Sequence, residues 1–169
     1  GENGLWLRRL YGLLLQDEIR QQAHLPRRPR ADQGGDNMVN TKVNLCGIEL
    51  DNPIIPASGT FGFGYEFAEI YDINILGSLS FKGTTKEARF GNPTPRIAEC
   101  TSGLINSVGL QNPGVHKVIS EELPKLYNCF SDPVVANVSG FSIDEYVYCC
   151  EKMNEEKNVG IIEVNVSCP

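Results

Sequence analysis

Four apolar segments that alternate with helical segments constrain how this chain folds. They read PIIPAS, ILGSLSFKGTT, PVVANVSG and VGIIEVNVSCP, and each ends in polar residues. Nearly continuous β-branched runs that alternate with helices are typical of a parallel sheet covered by helices. Parallel α/β folds carry their ligand sites at the carboxyl ends of the strands. The pattern therefore predicts an α/β fold with one polar site at the strand ends.

Both a doubly wound sheet and a (β/α)8 barrel fit this alternation. The stretch GTFGFG after the first segment lacks the helix-opening register of G-x-G-x-x-G, which disfavours a dinucleotide-binding fold. We therefore predict a (β/α)8 TIM barrel, truncated to about its first four β/α units and spanning residues 38–169. We predict helices over SIDEYVYCCEKMNEE, capped by Ser142, and over VHKVISEELPKLYNCF, kinked or split at Pro124. KVNLCGIELD indicates a small hairpin.

Residues 1–37 differ from the rest of the chain in composition. They hold six of the eight arginines and the Pro/Arg/Gly-rich run HLPRRPRADQGGDN. We expect them to form an extension outside the domain, disordered or spurious. A targeting presequence or interfacial anchor over GLWLRRLYGLLLQ is the alternative.

Charge and cysteine usage exclude several classes of protein. The net charge of −6 argues against a non-specific nucleic-acid binder, and no apolar run is long enough for a membrane span. The six cysteines include no C-x-x-C pair, so we expect no metal site. We expect most of them to be small apolar fillers in a reducing, cytoplasmic protein.

The polar strand ends supply a coherent set of candidate site residues, and these are Ser58, Lys82, Thr84, Asn106, Asn137, Asn165, Ser167 and Cys168. Amide side chains match the edges of a flat, nitrogen-rich heterocycle, and a lysine favours the anionic reduced form of an electron-accepting ring. A cysteine serves as a base if its pKa falls toward neutrality. Taken singly, Cys168 also fits an inert buried thiol, the asparagines strand-end caps, and Lys82 a lysine that reaches to solvent.

Four motifs together resemble class 1 dihydroorotate dehydrogenases: NPIIPASGTFGFG, KGTT with GNPTPR, NSVGLQNPG and EVNVSCP. The continuous RFGNPTPRIAE and the GLQNPG resemble the NAD-dependent type B catalytic subunit more than type A. The resemblance covers residues 38–169 in order.

The resemblance implies an FMN-binding enzyme of pyrimidine synthesis that oxidises dihydroorotate to orotate. It implies cofactor contacts at Ser58, Lys82, Gly83, Asn137 and Asn165. It implies substrate contacts at Lys82, Asn106, Ser107, Val108, Gly109, Leu110 and Asn165. Cys168 takes the position of the catalytic base that removes a proton from C5 while C6 passes hydride to flavin N5, and Lys82 stabilises the reduced flavin.

The resemblance also implies a partner. In type B enzymes, electrons pass to an iron–sulfur flavoprotein subunit that carries FAD and a [2Fe–2S] cluster, and then to NAD⁺; we expect a homodimer within a heterotetramer. The family pattern continues past SCP with further strand–helix units, so we expect residues 1–169 alone to be inactive. The alternatives are the FMN domain of a dihydropyrimidine dehydrogenase and a non-catalytic half-barrel.

Overall fold

The structure, a computed structural model, describes residues 39–167. The expectations for residues 1–37 and for Cys168 therefore lie outside the described residues. The described part is a mixed α/β fold, which confirms the predicted class at that level, and it holds three two-stranded sheets. The first is the predicted hairpin of β1 (Val43–Leu45) and β2 (Ile48–Leu50). Its two turn residues, Cys46 and Gly47, have φ of 51° and 84°, as a tight hairpin turn of right-handed twist requires.

Four stretches run parallel to one another in chain order. The first segment (54–56) accepts hydrogen bonds from the second segment (77–84), with Ser80 N donating to Pro56 O at 3.1 Å. The second segment forms parallel bridges to β5 (Val134–Val138), and β5 pairs in parallel with β6 (Val159–Val164). The carboxyl ends of all four stretches therefore meet at one edge.

The first two of these stretches are less regular than the sequence predicts. Pro53 and Pro56 in PIIPAS have no N–H to donate, so the first segment pairs through its carbonyl groups. In the second segment, the bridge Ser80↔Val135 is followed by Thr84↔Val138. The second segment therefore advances by four residues where β5 advances by three. One extra residue is a β-bulge, and it falls at 82–83.

A long connection of residues 85–114 joins the second segment to the following helix. It contains an antiparallel hairpin of β3 (Ile97–Cys100) and β4 (Gly103–Asn106), whose eight residues are all exposed. The helices of the described residues are short, except the last. They are α1 (Ser58–Phe61), α2 (Tyr65–Ala68), a 3₁₀ turn (Ile73–Ile75), α3 (Val115–Lys117), a π turn (Val118–Glu122), α4 (Leu123–Tyr127) and α5 (Ile143–Asn154).

Two helix predictions are confirmed at the level of single residues. Ser142 Oγ accepts a hydrogen bond from Glu145 N at 3.3 Å, and the Glu145 carboxylate accepts one from Phe141 N at 2.8 Å. The first bond satisfies an amide that the first turn of α5 leaves unpaired, and the second satisfies the amide of the residue before the N-cap. The helical run 115–127 is interrupted, as expected, since a π turn directly precedes α4, in which Pro124 is the second residue.

The two faces of the parallel stretches differ in chemistry. One face packs against the helices in a hydrophobic core that includes Leu79, Phe81, Val134, Ala136, Val138, Leu123, Leu126, Cys149 and Met153. Burial of one such side chain stabilises the fold by about 2 kcal/mol. The intervening residues are partly polar, and Ser80 Oγ donates to Glu163 Oε2 at 2.8 Å on this second face. None of the helices within residues 39–167 has the length and apolarity to cross a membrane.

Candidate active site

Lys82 lies in the bulge of the second segment. Its backbone N–H turns away from β5 and donates to Gly62 O at 2.7 Å, while its carbonyl accepts from Thr84 Oγ1 at 3.0 Å. The side chain is half-buried, and no hydrogen bond or ion pair joins its ammonium group to another residue within 39–167. The bulge therefore fixes the Lys82 backbone and leaves the cation available to a ligand.

Gly83 lies in close contact with two residues at the end of β5 and with one residue of the connection 85–114. A Cβ built on Gly83 would lie 2.8 Å from Asn137 Oδ1, 3.1 Å from Leu110 Cδ1 and 3.6 Å from Ser139 Oγ. Asn137 and Ser139 are almost fully buried, at 2% and 1% exposure. The Ser139 hydroxyl is enclosed and has no hydrogen-bond partner within residues 39–167.

Asn165 follows β6 and joins this group. Its N–H donates to Val138 O at 2.8 Å, and its Nδ2 donates to Asn137 Oδ1 at 3.3 Å. Its Oδ1 accepts from both the N–H and the hydroxyl of Ser167 at 3.1 Å. These bonds fix which side of each amide faces the other. We refer to Gly83, Leu110, Asn137, Ser139 and Asn165 as the strand-end cluster.

Residues 106–110 run from the exposed end of β4 back to the parallel stretches. Ser107 N donates to Arg96 O at 2.9 Å, and Asn92 donates to Ser107 O through Nδ2 at 2.8 Å and to Val108 O through its N–H at 3.0 Å. These bonds hold the first half of the segment against residues 92–96 rather than against the strand-end cluster.

The second half of the segment reaches the cluster through Leu110. Gly109 and Leu110 have φ of 77° and 53°, and a leucine in that left-handed region costs about 1 kcal/mol. Asn106 is exposed, and its Oδ1 accepts only a long 3.5 Å bond from Val108 N. The left-handed backbone of Leu110 is strained, and such a conformation persists only where neighbouring residues hold it in place.

The structure thus brings some of the sequence-predicted residues together and not others. Gly83, Leu110, Asn137 and Asn165 form contacts, and Lys82 is adjacent in the chain. Ser58 begins α1, two residues past the first segment, so it lies at the same edge of the parallel stretches. Within the described residues, no hydrogen bond joins the remaining predicted contacts to the cluster, and these are Ser58, Asn106, Ser107, Val108 and Gly109.

Sequence reasoning missed two residues here. Ser139 follows Asn137 at the two-residue period of a strand, so the alternation could have identified it. Asn112 lies in GLQNPG, one of the motifs that carry the family resemblance. In the structure Asn112 is 4% exposed and bonds to Thr85, Leu110 and Gly114.

The thiols within residues 39–167 differ from the expectation that most are buried fillers. Cys149 and Cys150 are buried, whereas Cys46 and Cys100 are exposed because they lie in hairpins. Burial raises the pKa of Cys149 to about 12, and burial also raises the pKa of Cys129. Neither is suited to act as a base near neutral pH. In the same residues no group of His, Cys, Asp or Glu is arranged to hold a metal ion.

The strand-end cluster suits a flat polar ligand. Two amides with fixed orientation, one enclosed hydroxyl and one glycine without a side chain pack together beside a cation that lacks an ion-pair partner in the described part of the chain. Such a group of residues has the chemistry to recognise ring N–H and C=O groups, and the lysine can stabilise negative charge that develops on a ligand.

Comparison with known proteins gives consistent results. The family model for dihydroorotate dehydrogenase matches residues 40–169. The catalytic subunit of dihydroorotate dehydrogenase B (NAD(+)) from Fusobacterium nucleatum subsp. nucleatum is 53% identical over 128 residues, which cover 76% of this chain and 42% of that protein. The protein of the same name from Bacillus pumilus is 54% identical over 127 residues, which cover 75% of this chain and 41% of that protein.

The chain thus spans about two fifths of the length of these curated relatives. A crystal structure of DHODH from Eimeria tenella aligns with a TM-score of 0.45 and 19% identity, covering 77% of this chain and 35% of that one, which is too distant to bear on the fold. The match to the family model and the identity to its members are decisive: this chain belongs to the dihydroorotate dehydrogenase family.

Proposed function

We propose that the protein of which this chain is a part oxidises dihydroorotate to orotate with bound FMN, as the catalytic subunit of an NAD-dependent dihydroorotate dehydrogenase. The observation that carries the proposal is the contact of Gly83, Asn137 and Asn165 at the ends of three neighbouring parallel stretches. The names of the relatives point to the same reaction.

The proposed fold is a (β/α)8 barrel, to which residues 38–169 contribute about the first four β/α units. Parallel pairing in chain order supports it, since the first segment, the second segment, β5 and β6 are successive neighbours. A doubly wound sheet instead places a later strand on the far side of the first. The remaining units would then come from the length of the relatives that this chain does not span.

The strand-end cluster fits FMN by two tests. The absence of a side chain at Gly83 leaves a flat approach to the Asn137 amide, and the enclosed Ser139 hydroxyl indicates a site that lacks one polar partner. When bound, FMN would supply an acceptor for the hydride that leaves C6 of dihydroorotate. The contacts proposed for it on this chain are Ser58, Lys82, Gly83, Asn137 and Asn165.

The roles proposed for the other residues follow from their chemistry. The Lys82 ammonium would lie beside the bound flavin and stabilise negative charge that develops there. Residues 106–110 bind dihydroorotate together with Lys82 and Asn165. Cys168, three residues past Asn165, removes the proton from C5 as a thiolate.

The proposal extends to partners and location. The name "catalytic subunit" of the relatives supports a partner subunit, for which we propose an iron–sulfur flavoprotein with FAD and a [2Fe–2S] cluster that passes electrons to NAD⁺. We propose a homodimer within a heterotetramer. A cytoplasmic location agrees with the cysteine usage of the sequence.

The test is orotate production by the purified full-length protein. We expect dihydroorotate to be oxidised and dihydrouracil to be left unchanged, because the latter lacks the carboxylate. Oxidation of dihydrouracil alone would favour a dihydropyrimidine dehydrogenase and overturn the proposal. Residues 1–169 expressed alone with added FMN should produce no orotate.

A further inference from the structure

We infer that Asn112 is a positioning residue that locks residues 106–110 onto the strand end carrying Lys82 and Gly83. The inference rests on the proposed function in one respect, since it takes residues 106–110 as the substrate-binding segment. Among the described residues assigned to the chemistry, Leu110 is the one to which the Asn112 side chain forms a hydrogen bond. Asn112 is only 4% exposed and its side chain is polar, so its structural role follows from its hydrogen-bond partners.

The Asn112 amide uses its full bonding capacity. Its Oδ1 accepts from Thr85 N at 3.1 Å and from Gly114 N at 2.9 Å. Its Nδ2 donates to Leu110 O and to Thr85 Oγ1, both at 2.9 Å. The Thr85 hydroxyl in turn donates to Glu87 O at 2.6 Å. Because two backbone N–H groups face Oδ1 and one carbonyl faces Nδ2, only one orientation of the amide satisfies all four bonds.

These bonds link stretches of chain that are far apart in sequence. Thr85 directly follows Thr84, whose bridge to Val138 ties the second segment to β5. The Asn112 backbone adds two bonds to Arg89, at 2.8 and 3.0 Å. One buried residue therefore fastens the end of the connection 85–114 to its beginning.

The link continues to the strand-end cluster through Leu110. Asn112 Nδ2 holds the carbonyl of Leu110, whose φ of 53° is unfavourable for leucine, and the Leu110 side chain lies against Gly83. Without the bond to Asn112, nothing else in the described hydrogen bonds holds that carbonyl, so Leu110 can relax to an ordinary backbone conformation. That relaxation would move the segment 106–110 relative to Lys82 and Gly83.

Asn112→Ala tests this in the full-length flavoprotein. The change leaves Thr85 N, Gly114 N and Leu110 O buried without partners. We expect the KM for dihydroorotate and the Kd for orotate to rise by about tenfold. The Kd for FMN should change by less than about threefold, because Asn137 and Asn165 keep their own bonds. Backbone hydrogen exchange should accelerate at residues 107–112.

Two further variants separate positioning from general loss of stability. Asn112→Asp has the same shape and keeps the two accepted bonds, but it sets a carboxylate oxygen against Leu110 O, so it should also weaken orotate binding. Asn74→Ala is the matched control, since the Asn74 amide bridges Cys129 O at 2.9 Å and Ser131 N at 3.1 Å at the opposite ends of the strands. It should lower the melting temperature without changing orotate binding.

The inference is overturned if Asn112→Ala and Asn112→Asp bind orotate with wild-type affinity and show wild-type rates of backbone hydrogen exchange at residues 107–112. It is equally overturned if Asn74→Ala weakens orotate binding as much as they do. A wild-type protein that does not oxidise dihydroorotate refutes the proposed function instead. In that case, faster hydrogen exchange at residues 107–112 in Asn112→Ala but not in Asn74→Ala still supports the positioning role of Asn112. Unchanged hydrogen exchange in Asn112→Ala refutes that role.

Discussion

Gly83→Ala adds one methyl group at the centre of the strand-end cluster. The added Cβ would lie 2.8 Å from Asn137 Oδ1, about 0.6 Å short of the 3.4 Å at which ordinary contact begins, and 3.1 Å from Leu110 Cδ1. The Asn137 side chain has little room to shift, because it is 2% exposed and its Oδ1 accepts a hydrogen bond from Asn165. Overpacking of this kind costs about 1–3 kcal/mol.

We expect that cost to appear as lost ligand affinity, since Asn137 and Leu110 are the proposed flavin and substrate contacts. A cost of about 1–3 kcal/mol weakens binding by about 5- to 150-fold. Titration of the full-length apoprotein with FMN, followed by flavin fluorescence, measures the first affinity. Titration of the flavoprotein with orotate, followed by flavin absorbance, measures the second.

Gly103→Ala is the matched control for this change. A Cβ at Gly103 meets no atom within 4 Å, and the residue lies in the exposed β3–β4 hairpin. It should bind both ligands as the wild type does. If Gly83→Ala also binds FMN and orotate with wild-type affinity, the reasoning that the ligands lie against the Gly83, Leu110 and Asn137 surface is refuted.

Three further predictions concern charge and stability in the full-length protein. Lys82→Met should lower the reduction potential of the bound flavin, measured by spectroelectrochemistry, and an unchanged potential would contradict the role of the ammonium group. Tyr127→Phe removes an enclosed hydroxyl that has no hydrogen-bond partner in the described part of the chain, so the free energy of unfolding should stay the same or rise by about 1 kcal/mol. Tyr65→Phe breaks a 2.6 Å hydrogen bond to Glu122 and should lower the free energy of unfolding. Burial, and then the charge of Glu155, raises the pKa of Glu156 above its ordinary 4.5, so this carboxyl contributes stability below pH 4.5 that is lost as the pH rises through the folded value. Glu156→Gln should therefore raise the melting temperature at neutral pH and not below pH 4.5, and an equal gain at both would contradict this.

Features set by local chemistry could be predicted from the sequence. The turn at Cys46 and Gly47 and the cap at Ser142 depend on residues within a few positions of each other. The apolar runs of β5 and β6 also gave strands where the pattern indicated them. Short-range periodicity is sufficient for such elements because their hydrogen bonds need little information from elsewhere in the chain.

Features set by distant contacts could not be predicted in the same way. The bulge at 82–83 depends on how Thr84 pairs with Val138, and the lock at Asn112 depends on Thr85. The rule that parallel strands end at one edge was enough to group Lys82, Asn137 and Asn165 in advance, whereas Gly83 was named only through the family resemblance. It could not show that Asn106 lies apart from them in the described hydrogen bonds, because that depends on the path of the connection 85–114.

The most direct test of the central claim is anaerobic mixing of the full-length flavoprotein with dihydroorotate in a stopped-flow spectrophotometer. We predict rapid loss of the oxidised flavin absorbance with one orotate formed per flavin. We predict that Cys168→Ser slows this loss sharply near neutral pH while orotate still binds. Flavin that stays oxidised in the wild type, or equal rates in the wild type and Cys168→Ser, would contradict the account.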